Sequence, residues 1–267
     1  MPDTSSDFKE HRFPGSSQKF FFEGRYRKLV RDLPQTTFFC PKCKGRRCDS
    51  CEGRGKIFDD SVQDLIARVA MPRFKARRHK FHGAGREDVD VRMLGNGRPF
   101  VFEMTKVKRE AVDLQDLAEA VTQRSDGRIE IFDLSRCERS RIPYIKQAKC
   151  DKEYLAKVQC DNIREWRNVE GSLDRLVTAG PFVLFQKTPS RVAHRRGVNT
   201  VRERWLQLLD WKILNEGELA LTLKSQHGTY IKEAISSDDG RTKNSISEFL
   251  NMPCECVELD VVGVMLD

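Results

Sequence analysis

Apolar and polar residues alternate with a period of two over much of this chain, and the pattern predicts more strands than helices. Aromatics mixed with Arg25, Lys28 and Arg31 predict a strand within residues 20–34. Val89, Val91 and Met93 alternate with Asp90 and Arg92, then Gly95-Asn96-Gly97 marks a turn and Phe100-Val101-Phe102 starts a returning strand, so a hairpin is expected here. Further strands are expected over 128–134, 154–160 and 256–265, a buried one over 182–185, and a pair over 201–213 and 218–223 joined at Asn215-Glu216-Gly217. Helical spacing is confined to a few stretches. Asp59-Asp60-Ser61 can cap a helix over 62–70 that sets Leu65, Ile66 and Val69 on one face. Shorter helices are expected over 114–121, 173–178, 228–235 and 245–250. Strands with few helices between them imply an α+β fold on a mixed, mostly antiparallel sheet. The sequence shows neither an internal repeat nor a low-complexity tract.

Charge and cysteine usage narrow the classes. The 267 residues carry a formal net charge of +8, which suggests a polyanionic partner. No apolar run of about 18 residues exists, which excludes a membrane-spanning helix. Met1 to Gln18 is polar without an apolar core, so it reads as a disordered tail and not a secretory signal. The expected setting is cytoplasmic, or nuclear in a eukaryote. Four of the nine cysteines form a C-x2-C-x4-C-x2-C array, Cys40, Cys43, Cys48 and Cys51. Two such turns direct four thiolates to one point, which suits structural Zn2+; a catalytic zinc needs an open position. Four free thiols, or a redox C-x2-C, are the alternatives, and the latter lacks a βαβ context. The division expected is a tail over 1–18, a strand and zinc knuckle over 19–60, and one large domain over 61–267.

Candidate chemistry concentrates in residues 82–100. Gly83 and Gly85 allow a sharp turn, and Asp88 follows at the mouth of a strand beside Arg86 and Glu87. A carboxylate held there by a sheet can act on a ligand; a solvated surface turn is the plain alternative. Residues 73–81 interleave basic and aromatic side chains, as an RNA-backbone surface does and as a charged edge strand also does. Residues 188–196 form a second basic stretch, suited to phosphate or simply to solvent.

Gly85-Arg86-Glu87-Asp88-Val89-Asp90-Val91-Arg92 followed by Leu94-Gly95-Asn96-Gly97-Arg98-Pro99-Phe100 resembles the signature of the archaeal and eukaryotic tRNA pseudouridine synthase family numbered ten. Lys187-Thr188-Pro189-Ser190-Arg191-Val192-Ala193-His194-Arg195-Arg196, Gly228-Thr229-Tyr230-Ile231-Lys232-Glu233, Gly240-Arg241-Thr242-Lys243 and Leu33-Pro34-Gln35-Thr36 resemble it as well, each in the family's order. A single motif would carry little; the ordered set spans roughly residues 24–267.

The resemblance implies the pseudouridine synthase fold, a large bent sheet flanked by helices with a basic cleft across it. It implies isomerisation of uridine to pseudouridine in the T-arm of tRNA (tRNA positions 54 and/or 55), without an organic cofactor. Asp88 aligns with the family's nucleophile, which attacks either ribose C1′ or the uracil ring. Lys232 aligns with the cation that pairs with that aspartate, and Tyr154 with a tyrosine that stacks on the flipped base. Arg86 resembles an arginine that helps extrude the base. His82, Tyr230, Arg191, His194, Arg195, Arg196 and Arg241 are the other expected substrate contacts. Phe249 stands where the family usually places a leucine against the base. Most members also carry an N-terminal RNA-binding domain, and this chain begins near the linker that follows it. A separate protein supplying that module is therefore an expected partner beside tRNA, with no membrane and a monomeric chain. The competing reading is a catalytically inactive, zinc-containing RNA-binding protein.

Overall fold

A computed structural model describes residues 18–160, 166–195 and 200–266; most of the expected tail and all of Arg196 fall outside the described residues. The first strand shows why the sheet forms. In β1 (Lys19–Lys28) every second residue is buried, from Phe20 and Phe22 through Gly24 and Tyr26 to Lys28. Phe22 meets Phe100 and Phe102 at ring-centroid distances of 6.1 and 5.3 Å, and burying each ring contributes about 2–3 kcal/mol. A four-cysteine loop follows, then α1 (Val62–Arg73), whose N-cap Ser61 accepts a hydrogen bond from the Asp64 amide as the sequence predicts. β2 (Arg78–Gly83), β3 (Arg92–Thr105), α2 (Leu114–Arg124), β4 (Ile129–Arg136), α3 (Arg141–Gln147) and β5 (Asp151–Cys160) come next. After these come α4 (Trp166–Ala179), β6 (Phe182–Gln186), β7 (Arg202–Asn215), β8 (Glu218–Ser225), α5 (Ile231–Ser236), β9 (Thr242–Lys243), α6 (Ile246–Leu250) and β10 (Cys254–Met265).

The strands form one sheet in the order β4-β1-β3-β10-β5-β8-β7-β6-β9, with β2 also paired to β3. Among the described residues every pairing is antiparallel except β3 with β10. This is the mixed, mostly antiparallel α+β fold expected. α1 and α2 pack on each other, α2 on β4, α4 on β7 and α5 on β10. None of the helices among the described residues is long and apolar enough to cross a membrane.

β3 departs from the expected hairpin. It runs unbroken through Gly95-Asn96-Gly97, which form a bulge rather than a turn. Both glycines have the positive φ that made the segment read as a turn. Gly95 is required by close approach, because a Cβ there would lie 1.7 Å from the Val262 carbonyl oxygen in β10. The Asn96 side chain takes over a rung of the ladder, donating to the Val264 carbonyl (3.0 Å) and accepting from its amide (2.9 Å).

The bulge divides β3. With β1 on its other side, its first residues pair with β10 (Arg92 with Asp260), whereas Phe100–Thr105 pair with β2. β2 and β10 therefore occupy successive stretches of the same side of β3. Residues 84–91 cross the gap between them, and the cleft lies there.

Two other expectations needed correction. β6 is not buried throughout: Val183 and Phe185 are exposed while Leu184 and Gln186 are buried, because alternate side chains leave opposite faces of the sheet and only one face is covered here. The helix expected to start at residue 228 begins at Ile231, since Tyr230 keeps an extended backbone as its N-cap.

Candidate active site

The turn carrying Asp88 rests on buried polar side chains. Glu87 and Arg98 form an ion pair at 2.8 Å with both side chains about 1% exposed. The Tyr26 hydroxyl donates to the Glu87 carboxylate (2.8 Å), and Gln35 Nε2 donates to the Tyr26 oxygen (2.8 Å) and to the Gly85 carbonyl (3.1 Å). Arg98 Nη1 donates to the Ala84 carbonyl (2.9 Å). Gly85 has φ +78° and a Cβ there would press on Arg98 Nη1 at 3.2 Å, so the turn needs glycine to sit on the arginine. Lys28, fully buried, donates to the carbonyls of Leu33, Val89 and Asp88 at 2.8–3.2 Å. Burial lowers its ammonium to about 8 despite the carboxylates nearby. Residues 84–89 are thus fixed from beneath, and the Asp88 side chain remains 44% exposed toward the cleft.

That cleft has a volume of about 780 Å³ and is lined by Asp88, Tyr154, Lys232, Arg86, Arg191 and Tyr230 of the expected site residues. It is also lined by Arg98, Lys146, Lys152 and Glu87, so six cations face two carboxylates, an excess of four positive charges suited to a polyanion.

The cation paired with Asp88 is Arg191, whose Nη1 lies 2.8 Å from Oδ2. The expected pairing with Lys232 is replaced: Lys232 binds Asp90 instead (2.5 Å). Arg191 also binds Glu233 through Nε (2.5 Å), and Glu233 is buried on α5. α5 therefore reaches the turn twice, from Lys232 to Asp90 and from Glu233 through Arg191 to Asp88. Burial works against both partnered ions, yet the Glu233 and Asp88 carboxylates hold Arg191 above its ordinary range, and Lys232 holds Asp90 below its own.

Tyr154, on β5, is 7% exposed. Burial pushes its phenol up to about 12, although the positive charge of Arg98 opposes the rise, so it stays protonated at neutral pH. Lys152 stands two residues earlier and so on the same face of β5. It donates to the Cys150 carbonyl (2.8 Å) and makes no ion pair among the described residues. Burial, with Arg98 adding repulsion, lowers it to about 8 from the usual 10.5. An ammonium depressed in this way favours unfolding below pH 8, and the penalty fades as pH rises from 8 to about 10.5, where the unfolded chain binds more protons. Lys152→Met is therefore expected to raise stability at pH 7 by about 1–2 kcal/mol, after allowing for screening by water in the cleft. The gain should vanish near pH 10.5 in denaturant titrations; a loss at pH 7 would contradict the assignment.

Other expected residues lie elsewhere. His82 is hydrogen-bonded to Glu103 (3.1 Å) and does not line the cleft, because β2 turns it toward the neighbouring rung of β3. Arg241 donates to the Thr188 carbonyl (2.7 Å) and so braces the loop carrying Arg191. Phe249 is half-exposed and meets Phe182 edge-on at 5.0 Å outside the cleft, while Leu250 is buried in the core. The side chains of His194 and Arg195 lie outside the described residues, like Arg196.

The four cysteines come together: the ligand atoms of Cys40, Cys43, Cys48 and Cys51 all lie within 4.8 Å of one another, positioned to hold a metal ion. The Cys48 and Gly55 amides donate to the Cys51 sulfur (3.4 and 3.1 Å). Phe38, just ahead of this knuckle, carries the Arg86 guanidinium 4.7 Å above its ring.

Residues 21–265 match the family model described as "Pus10, C-terminal". The chain is 41% identical over 250 residues to a tRNA pseudouridine synthase Pus10 of Methanosphaera stadtmanae, covering 93% of this chain and 60% of that protein. It is also 41% identical over 247 residues to one of Methanocaldococcus jannaschii, covering 91% and 52%. Among solved structures, a chain of a Cbf5-Nop10-Gar1 complex aligns at TM-score 0.44 and 12% identity over 90% of this chain and 48% of that one.

Proposed function

The chain belongs to the Pus10 C-terminal family, and from that premise we propose that it isomerises uridine to pseudouridine in the T-arm of tRNA, with Asp88 as nucleophile. The observation that carries the proposal is the convergence of Asp88, Tyr154 and a fixed guanidinium on one basic cleft. The relatives named as tRNA pseudouridine synthases support the substrate class.

A nucleophilic carboxylate in a closing cleft must stay ionised, and desolvation alone would protonate it. Arg191, anchored on Glu233, supplies the compensating charge. The Asp88 carboxylate bonds to the substrate at ribose C1′ or at the ring, the N1–C1′ bond breaks, the base turns and rejoins through a C5–C1′ bond, and the bond to Asp88 breaks to return the free carboxylate. The hydrogen on C5 then leaves as a proton while N1, freed from the sugar, takes one up from solvent, so the product is an isomer and no electron is gained or lost. Tyr154, neutral and flat, can stack on the base while it turns. Arg86 stands at the rim, where a planar cation can take the place of the extruded base in its stack. Because C5 loses its hydrogen, tRNA tritiated at uridine C5 should release tritium on incubation with the chain. No release above background would refute the activity.

The knuckle holds structural zinc in this reading. Tetrahedral bonds of about 2.3 Å require sulfur–sulfur separations of roughly 3.8 Å. The Sγ atoms of Cys40 and Cys48, Cys43 and Cys51, and Cys48 and Cys51 are 4.0, 3.8 and 3.7 Å apart. Zinc would fix the base on which Phe38 supports Arg86. One zinc per chain is expected, and Cys48→Ser should lose most of it and lower the melting temperature; full zinc content in that variant would exclude this ligand set.

A further inference from the structure

We infer that the outer face of the cysteine knuckle is a second RNA-binding surface, which takes the strand flanking the nucleotide in the cleft; this rests on the RNA-substrate reading above. Between its two C-x2-C turns the chain passes through Lys44-Gly45-Arg46-Arg47. Lys44 and Arg47 have φ of +50° and +72°, a conformation that L side chains avoid. The turns impose it, and it leaves three long cationic side chains standing outward. Lys44, Arg46 and Arg47 are exposed, and their side chains make no ion pair or hydrogen bond among the described residues. Arg54 on the same knuckle, by contrast, is held by Glu52 and Asp59.

An aromatic ring packs against the glycine that separates these cations in the chain. Phe39 is 63% exposed, although a folded chain normally covers so large an apolar group. One edge rests against Gly45, where a Cβ would come within 3.1 Å of the ring. Its backbone is pinned by a bridge to Lys56, so the ring is held in position without being buried. A fixed, open ring beside a loop of unpartnered cations is the combination that binds a single strand, stacking on bases and neutralising phosphates.

The knuckle meets the cleft through Phe38. Phe38, the residue before Phe39, lies under the Arg86 guanidinium and packs edge-on against Phe58 at 5.8 Å. Arg86 in turn lines the cleft. A strand with one nucleotide beside Asp88 would pass over Arg86 and reach Phe39 and the Lys44–Arg47 loop.

The test uses the full chain and an unmodified tRNA transcript. Binding is measured across a salt series for wild type, for Phe39→Ala, and for the combined Lys44→Glu, Arg46→Glu and Arg47→Glu variant. Zinc content and melting temperature are followed as folding controls. The charge-reversed variant should bind at least about 10-fold more weakly at low salt, with a log–log salt slope shallower by roughly two, as loss of two or three phosphate contacts requires. Phe39→Ala should weaken binding about 5- to 10-fold without changing that slope. Single-turnover pseudouridine formation at saturating RNA should be unchanged in both variants, since neither alters the cleft. Wild-type affinity and slope in both variants, with zinc retained, would overturn the surface while leaving the activity standing. A wild type that neither binds nor modifies the transcript would overturn the RNA reading and this surface together.

Discussion

Asp88→Asn is expected to abolish pseudouridine formation, lowering the rate by on the order of 10⁴ or more, because an amide cannot form the covalent intermediate. The fold should survive. The Asp88 side chain is 44% exposed, its ion pair is with the half-exposed Arg191, and its backbone is held independently by Lys28. Arg191 keeps Glu233 as a partner, so the substitution strands no buried charge. RNA affinity should stay within a few-fold of wild type, since removing a carboxylate from a basic cleft weakens no phosphate contact. Binding and circular dichroism measured beside the activity distinguish lost chemistry from lost structure. Residual activity within about tenfold of wild type would show that another group attacks the substrate.

The largest stability effect is expected at the pair beneath the turn. Arg98→Met would leave the Glu87 carboxylate buried without its cation, and breaking a buried pair from one side costs about 3–5 kcal/mol. For a chain of this size that lowers the melting temperature by on the order of 10 °C. The double variant Glu87→Gln with Arg98→Met removes both charges and should recover a large part of the loss. It should not recover activity. The Ala84 carbonyl would still lack its donor and the Asp88 turn its support, because Arg98 Nη1 is what holds that carbonyl. A double variant as unstable as Arg98→Met alone would mean that the pair acts through packing rather than charge.

Most strands were legible because one face of each is buried, as the alternation in β1 and β8 shows. α3 was not, since Ile145 is its only buried residue and Pro143 sits in its first turn. The Gly95-Asn96-Gly97 segment misled for a physical reason. Positive φ is demanded equally by a tight turn and by a bulge, and only the position of β10, remote in sequence, decides between them. The cleft followed a similar course. Asp88, Tyr154, Lys232, Arg86, Arg191 and Tyr230 stood out by motif and share one cleft. Arg191 in place of Lys232 beside Asp88 depends on how α5 docks, which local pattern does not encode. Lys28 and Lys152 were missed although a signal existed: each continues a strand's two-residue period, Lys28 onto the buried face of β1 and Lys152 onto the face of Tyr154. A lysine falling in phase with core positions was an available clue to a polar site.

The roles proposed for the cleft all depend on conversion of a tRNA uridine through Asp88. The most direct measurement incubates an unmodified tRNA transcript with wild type and with Asp88→Asn, labels pseudouridine chemically, and reads every uridine. A signal is expected at a T-arm uridine with wild type and none with Asp88→Asn. A signal with both proteins, with neither, or only outside the T-arm would contradict it.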